Sequence, residues 1–128
     1  MTPEIADYLN KAREFLSKAQ NLLDVMHYAD EAARAAYLAG FHAAQGLILA
    51  RTGRAAKTHS GVRSSFARLT KDEPHIDRKF ARFLARAYSS KEVTDYGIGP
   101  HAVVTAAEAQ AMIEVAAEPV DRMTEILA

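Results

Sequence analysis

The stretch AAYLAGFHAAQGLIL, residues 35–49, decides the fold because its apolar residues recur at helical spacing. Ala33, Tyr37, Phe41, Ala44 and Ile48 form one stripe along a helix. The many alanines around this stripe allow neighbouring helices to approach closely. We therefore expect a helix that is buried on more than one side and lies at the centre of the protein.

A similar apolar stripe precedes this stretch and predicts the first helix. Its members, spaced alternately four and three residues apart, are Ile5, Leu9, Ala12, Leu16, Ala19, Leu23 and Met26. Neither Gly nor Pro separates the two stripes, and one helix over residues 4–52 would far exceed the usual length of about 8 to 20 residues. We place the break near Tyr28, with Asp30 as the expected cap of the second helix and Glu31 in its first turn.

Three more helices are predicted after Gly53, the glycine expected at the end of the second helix. Thr58 is the expected N-cap of a short third helix, and Pro74 separates that helix from a fourth. Thr105 and Glu108 have the spacing of a capping box at the start of a fifth. The apolar positions of these helices are Val62, Phe66 and Leu69, then Ile76, Phe80, Phe83, Leu84, Ala87 and Tyr88, then Ala109, Ile113, Ala116, Val120, Met123 and Leu127.

Pro119 falls inside the fifth stripe, which predicts a kink near Ala116 or a broken last turn. No segment alternates in the manner of a strand. The expected fold is therefore all-α, an antiparallel up-and-down four-helix bundle with one additional short helix, formed by a single domain over residues 1–128.

Composition excludes several classes of function. The chain has no cysteine, which rules out disulfides, cysteine zinc sites and thiolate nucleophiles. It has neither a signal-peptide pattern nor a run of about 20 apolar residues, so a cytoplasmic location is expected. Lysine plus arginine equals aspartate plus glutamate, 16 each, so contact with a polyanion requires a local patch. Basic residues cluster over residues 51–91, a pattern also typical of solvated helix faces.

The sequence KTHSG, residues 57–61, is a candidate phosphate site. The first turn of a helix presents unpaired N–H groups and a positive dipole end, so Lys57, Thr58, His59 and Ser60 could hold an anion without a metal. The alternative is that Thr58 only caps the helix while His59 packs or faces water.

His42 flanks the stripe of the second helix and is a further candidate contact for phosphate or RNA. The alternative is a hydrogen-bonded structural histidine. The five histidines show no H-x3-H spacing, and we expect neither a metal nor a cofactor.

The stretch SSKEVTDYGIGPH, residues 89–101, gathers Lys91, Asp95, Tyr96 and His101 where the fourth helical pattern ends. In one interpretation Lys91 serves the helix C-terminus and Asp95 forms a turn. In the other, Lys91 stabilises charge on a phosphate while Tyr96 or His101 moves a proton.

Three segments in this order, AAYLAGFHAAQGLIL, KTHSGVRSSF and AYSSKEVTDYG, resemble the HEPN domain family, in particular its small stand-alone prokaryotic members. The resemblance spans almost the whole chain. It implies a helical bundle that dimerises and that binds RNA or nucleotides. It also implies a toxin-like component of a toxin–antitoxin pair, with a minimal nucleotidyltransferase as the partner.

Many family members are metal-independent ribonucleases, in which an arginine and a histidine spaced R-x4–6-H act across the dimer. By resemblance Lys91 takes the arginine position, but no histidine follows at that spacing and His101 lies ten residues on. Lysine also lacks the planar fork of arginine. The sequence leaves three readings open: an RNA- or nucleotide-binding protein with a divergent ribonuclease site, a non-catalytic module that docks a partner, and a structural homodimer.

Overall fold

The computed structural model describes residues 2–73, 76, 78–86 and 104–127, and within these ranges the secondary structure is helical, with no strand. The all-α prediction is confirmed. The helices are α1 (Pro3–Asp24), α2 (Ala29–Thr52), α3 (His59–Thr70), α4 (residues 78–86) and α5 (Ala106–Leu127).

The predicted break between the first two helices is confirmed. α1 ends at Asp24, and His27 has a left-handed backbone with φ of 58° before α2 begins after Tyr28. The prediction that Asp30 caps α2 is wrong. Tyr28 is the N-cap without a side-chain hydrogen bond, and the Asp30 carboxylate instead accepts a hydrogen bond from the Val104 N–H at 3.0 Å.

α2 is the central helix, as its alanine-rich stripe predicts, and most of its residues from Ala32 to Ile48 are buried. Two glycines allow close approach. A Cβ at Gly40 would lie 3.1 Å from ring atoms of Phe80 and Phe83, and one at Gly46 would lie 3.3 Å from Leu9. α1 and α4 therefore pack directly against the α2 backbone at these points.

The order of contacts along the helices gives their directions. The early residue Leu9 of α1 meets the late residue Gly46 of α2, so these two helices are antiparallel. The Gln20 amide donates to Gln110 at 2.8 Å, and the start of α1 shares a core cluster with the end of α5. α1, α2, α4 and α5 form the up-and-down bundle, and α3 packs against α2 as the additional short helix.

α5 opens with the predicted capping box. The Glu108 N–H donates to the Thr105 hydroxyl at 3.1 Å, and the Thr105 N–H donates back to the Glu108 carboxylate at 3.4 Å. The helix continues through Pro119 to Leu127, so the last turn is not broken.

An interior proline costs a helix about 3 kcal/mol. Val120, Met123 and Leu127 are all buried after it, and burial stabilises by roughly 1.5–3 kcal/mol for each such side chain. The free energy gained by burying these side chains therefore exceeds the cost of the proline. No helix in the described ranges is long and apolar enough to cross a membrane.

Candidate functional site

The start of α3 is built by local backbone chemistry. Gly53 closes α2 in the left-handed conformation, with φ of 73°, as the sequence predicts. Thr58 then caps α3, because its hydroxyl accepts a hydrogen bond from the Gly61 N–H at 3.0 Å. A Cβ at position 61 would lie only 2.7 Å from that hydroxyl oxygen. The glycine of KTHSG therefore makes room for the cap.

His59 is held against α2 by two aromatic residues. Its Nδ1 lies 2.6 Å from the hydroxyl oxygen of Tyr37, whose side chain is fully buried. The Phe41 ring packs on the imidazole with 4.6 Å between ring centroids. His59 itself remains partly exposed. The structure thus fixes a half-buried imidazole at the first turn of α3.

Gln45 holds the loop that leads into α3. Its amide NH2 donates to the Ala56 carbonyl at 2.9 Å, two residues before the Thr58 cap. Tyr37, Phe41 and Gln45 are spaced four residues apart and so share one face of α2. This face contacts the 56–59 segment in three ways: Gln45 bonds to the Ala56 carbonyl, the Phe41 ring packs at a tilt on the His59 ring, and the Tyr37 hydroxyl contacts Nδ1 of His59.

Gln45 also determines where the proton of neutral His42 resides. Because its NH2 group faces a carbonyl, its own oxygen faces His42, at 2.8 Å from Nδ1. A carbonyl oxygen only accepts hydrogen bonds, so Nδ1 must carry the proton and donate. In the neutral imidazole, Nε2 is then the unprotonated nitrogen.

His42 belongs to the contact between α1 and α2. Its ring stacks on Phe15 of α1 at 5.4 Å, and it lines a groove of about 290 Å³. Burial lowers the pKa of His42 below 6.5, the charge of Lys11 lowers it further, and the Gln45 hydrogen bond opposes both. The other residues of this groove are Glu4, Asp7, Tyr8, Lys11 and Gln45.

The sequence on both sides of the start of α3 carries charges of one sign. Residues 51–71 contain no aspartate or glutamate, whereas the whole chain is neutral. Lys57 and Ser60 are exposed beside His59. One of the cations, Arg51, pairs with Glu73 just beyond the stretch at 2.6 Å. The basic residues of this acid-free stretch are Arg51, Arg54, Lys57, Arg63, Arg68 and Lys71.

The structure places the sequence-predicted residues in two locations. Lys57, Thr58, His59 and Ser60 lie together at the start of α3, whereas His42 lines the groove between α1 and α2. Lys91, Asp95, Tyr96 and His101 lie outside the described residues. No group of three or more metal-binding side chains occurs in the part of the chain that the structure describes.

Sequence reasoning missed Tyr37 and Gln45 as parts of this site. The apolar stripe of α2 places the Tyr37 ring correctly in the core but gives no information about its hydroxyl. Gln45 is a buried amide four residues after Phe41 on an alanine-rich helix. A buried amide requires hydrogen-bond partners, so its presence on this face was the available signal.

The helical bundle and the basic start of α3 define a class of protein, the small helical domains that have a polar site at one short helix. Comparison with known families identifies the family within this class. The model of the HEPN domain matches residues 5–126, nearly the whole chain, and the chain belongs to the HEPN domain family. A search of curated proteins found no match.

Proposed function

We propose that this HEPN domain binds RNA or a nucleotide through phosphate at the start of α3. The observation that carries the proposal is the acid-free basic stretch over residues 51–71, six cations in a chain of zero net charge. Lys57, Thr58, His59 and Ser60 are the proposed contacts. Family membership supports the same function.

The chemistry of the helix start suits a phosphate. Thr58 already occupies the N–H groups of Gly61 and Val62, through its hydroxyl and its carbonyl, so the proposed contacts are made by side chains. The positive end of the α3 dipole favours a negative charge in front of this turn. Lys57 adds a flexible ammonium, and its neighbours Thr58 and Ser60 add hydroxyls.

The salt dependence of RNA binding tests this proposal. Each phosphate contact on single-stranded RNA contributes about −0.7 to the slope of log K against log salt concentration. We expect Lys57→Ala to reduce the slope by about that amount. Lys18→Ala, an exposed lysine of α1, is the matched control and should leave the slope unchanged. Equal slopes for the two variants, or no binding at low salt, would contradict the proposal.

The proposal extends to metal-independent ribonuclease activity with a divergent R-x4–6-H motif, in which Lys91, Asp95, Tyr96 and His101 form the catalytic set. Lys91 stabilises charge on the phosphate, and Tyr96 or His101 transfers a proton. We expect RNA cleavage to persist in EDTA and to be lost in Lys91→Ala. Undiminished cleavage by that variant would remove Lys91 from the mechanism.

The proposed biological setting is a cytoplasmic homodimer that acts as the toxin-like component of a toxin–antitoxin pair, with a nucleotidyltransferase partner. Family membership supports this setting. Toxicity of the chain expressed alone, relieved by co-expression of a nucleotidyltransferase, is the expected result. A stable heteromer that neither binds nor cuts RNA would instead favour the hypothesis of a non-catalytic module that docks a partner.

A further inference from the structure

Pro119 changes the hydrogen bonding of α5 where this helix faces α4. In an α-helix each carbonyl accepts a hydrogen bond from the N–H four residues on, and proline has no N–H. Pro119 lies in the interior of α5, so the Val115 carbonyl lacks its α-helical donor. Backbone carbonyls strongly prefer to be hydrogen-bonded, so this carbonyl is an acceptor for a donor from outside the helix.

Val115 and Pro119 both line a small pocket between α4 and α5. A helical carbonyl points along the axis toward the residue four positions on, so the Val115 carbonyl lies on the helix face that these two residues share. This face borders a pocket of about 150 Å³. Ile76 and Phe80, both buried, line the pocket from the side of α4. The pocket therefore combines apolar side chains with a backbone acceptor.

The charges around this pocket cancel. Its lining includes two cations and two carboxylates on exposed side chains, namely Lys79, Arg122, Glu114 and Glu118. Such a balanced rim gives no net attraction to an ion of either sign, and contact with apolar side chains disfavours a charged group. The pocket therefore favours an uncharged ligand.

The volume of the pocket limits the ligand to a single ring. A cavity of roughly 150 Å³ lined by apolar side chains accommodates benzene, whereas pockets for drug-sized ligands measure about 300–1,000 Å³. An aromatic ring suits the apolar side chains of Ile76 and Phe80. One N–H or O–H group on that ring would satisfy the Val115 carbonyl.

We propose that the pocket between α4 and α5 binds an uncharged aromatic ring with one N–H or O–H group, which donates a hydrogen bond to the Val115 carbonyl. Phenol is the simplest probe of this ligand class. The ring packs against Ile76 and Phe80, and Pro119 keeps the carbonyl available by supplying no N–H. The pocket shares no residue with the 57–60 segment, so the inference does not depend on phosphate binding.

Titration of phenol into the chain with ¹³C-labelled methyl groups tests the location by nuclear magnetic resonance. We expect the methyl signals of Val115 and Ile76 to shift and saturate, while those of Leu23 at the end of α1 stay in place. Val115→Phe places a larger side chain in the pocket and should abolish the shift at Ile76. Phenol that causes no saturable shift at Val115 and Ile76 in the wild type would overturn the proposal.

Pro119→Ala tests the role of the carbonyl. Alanine supplies an N–H to the Val115 carbonyl, so the helix is retained while the acceptor becomes occupied. Phenol binding should weaken by roughly threefold to tenfold, the worth of one neutral hydrogen bond. Toluene is the matched ligand, since it has a similar size but no donor.

The comparison of the two ligands separates the lost hydrogen bond from any change in the shape of the pocket. A change of shape affects both ligands, whereas an occupied carbonyl affects phenol alone. The affinity for phenol relative to toluene should therefore fall by threefold to tenfold in Pro119→Ala. An unchanged ratio of the two affinities would overturn the proposal.

Discussion

His42 and His59 both pack against the ring of Phe41, yet each contacts a different polar side chain of α2. The amide oxygen of Gln45 requires a proton on Nδ1 of neutral His42. The hydroxyl oxygen of Tyr37 lies 2.6 Å from Nδ1 of His59. Both partners come from α2 itself, so one helix contacts both imidazoles.

The surroundings of the two histidines differ as much as their partners. His42 joins α1 to α2 in a groove that contains acids as well as a lysine. His59 sits on the first turn of a helix whose flanking residues, 51–71, carry only positive charge. Position relative to charged residues, and not residue type, therefore distinguishes the structural histidine His42 from His59, the candidate ligand contact.

Removing the shared ring should have the largest effect. Phe41 is 6% exposed, and truncation of a buried phenylalanine costs about 3–5 kcal/mol. We expect Phe41→Ala to lower the free energy of unfolding by this amount in urea denaturation and to perturb the spectra of both histidines. Phe41→Leu retains most of the volume and should cost about 1 kcal/mol. A spectral change in only one of the two histidines would contradict the contact of Phe41 with both.

Gln45→Met should have the second largest effect on stability. Methionine has a shape similar to that of glutamine but lacks the amide group. The change leaves the Ala56 carbonyl and the His42 N–H without their partner, at about 1–3 kcal/mol for each group. Urea denaturation measures the loss. Both the His42 signals and the backbone signals of the 56–59 segment should shift. A Gln45→Met variant with an unchanged free energy of unfolding would contradict the hydrogen bonds of Gln45 with Ala56 and His42.

The cap of α3 should couple the effects of substitutions at Thr58 and Gly61 on the free energy of unfolding, by about 1 kcal/mol. Thr58→Ala removes a capping hydroxyl and should destabilise by about that amount. The same change should cost close to nothing when Gly61 is already alanine, because a Cβ there displaces the hydroxyl. A double-mutant cycle by denaturation measures the difference. Additive effects would show that Gly61 is not required by the cap.

The smallest expected effect is a pH dependence of stability that arises from His42. Its folded pKa is lowered from 6.5, mainly by burial, so the unfolded state takes up the proton more readily. Stability should therefore be complete above about pH 6.5 and should fall as the pH drops below it. The charged or titratable groups that face His42 from α1 are Glu4, Asp7, Tyr8 and Lys11.

His42→Asn is the matched variant for this effect, because asparagine retains a donor toward Gln45 but does not titrate. The pH dependence of the unfolding free energy between pH 7.5 and 5.5 should be flatter in His42→Asn than in the wild type. Identical profiles would show that His42 does not contribute to the pH dependence.

Local chemistry made much of the fold predictable. Gly53, Thr58 and the Thr105 and Glu108 pair act on backbone groups a few residues away, so sequence alone identified the helix ends. Asp30 shows where this fails. Its carboxylate could have capped α2, but it bonds to Val104, 74 residues away in sequence, a competitor that no local pattern reveals.

The site was predictable only in part for the same reason. The KTHSG sequence predicts a capped helix start. The contact of His59 with Tyr37, however, joins residues 22 apart in sequence and depends on how α3 packs against α2. The roles of Lys91, Asp95, Tyr96 and His101 stay predictions, since they rest on resemblance and lie outside the described residues.

In the proposed function, phosphate binds beside His59 and not beside His42. Titration of a short single-stranded RNA into the ¹⁵N-labelled chain, with both imidazoles followed in one spectrum, tests it most directly. We expect the His59 signals to shift with RNA concentration and to saturate, while the His42 signals remain in place. Saturable shifts of His42 with an unchanged His59 would contradict it.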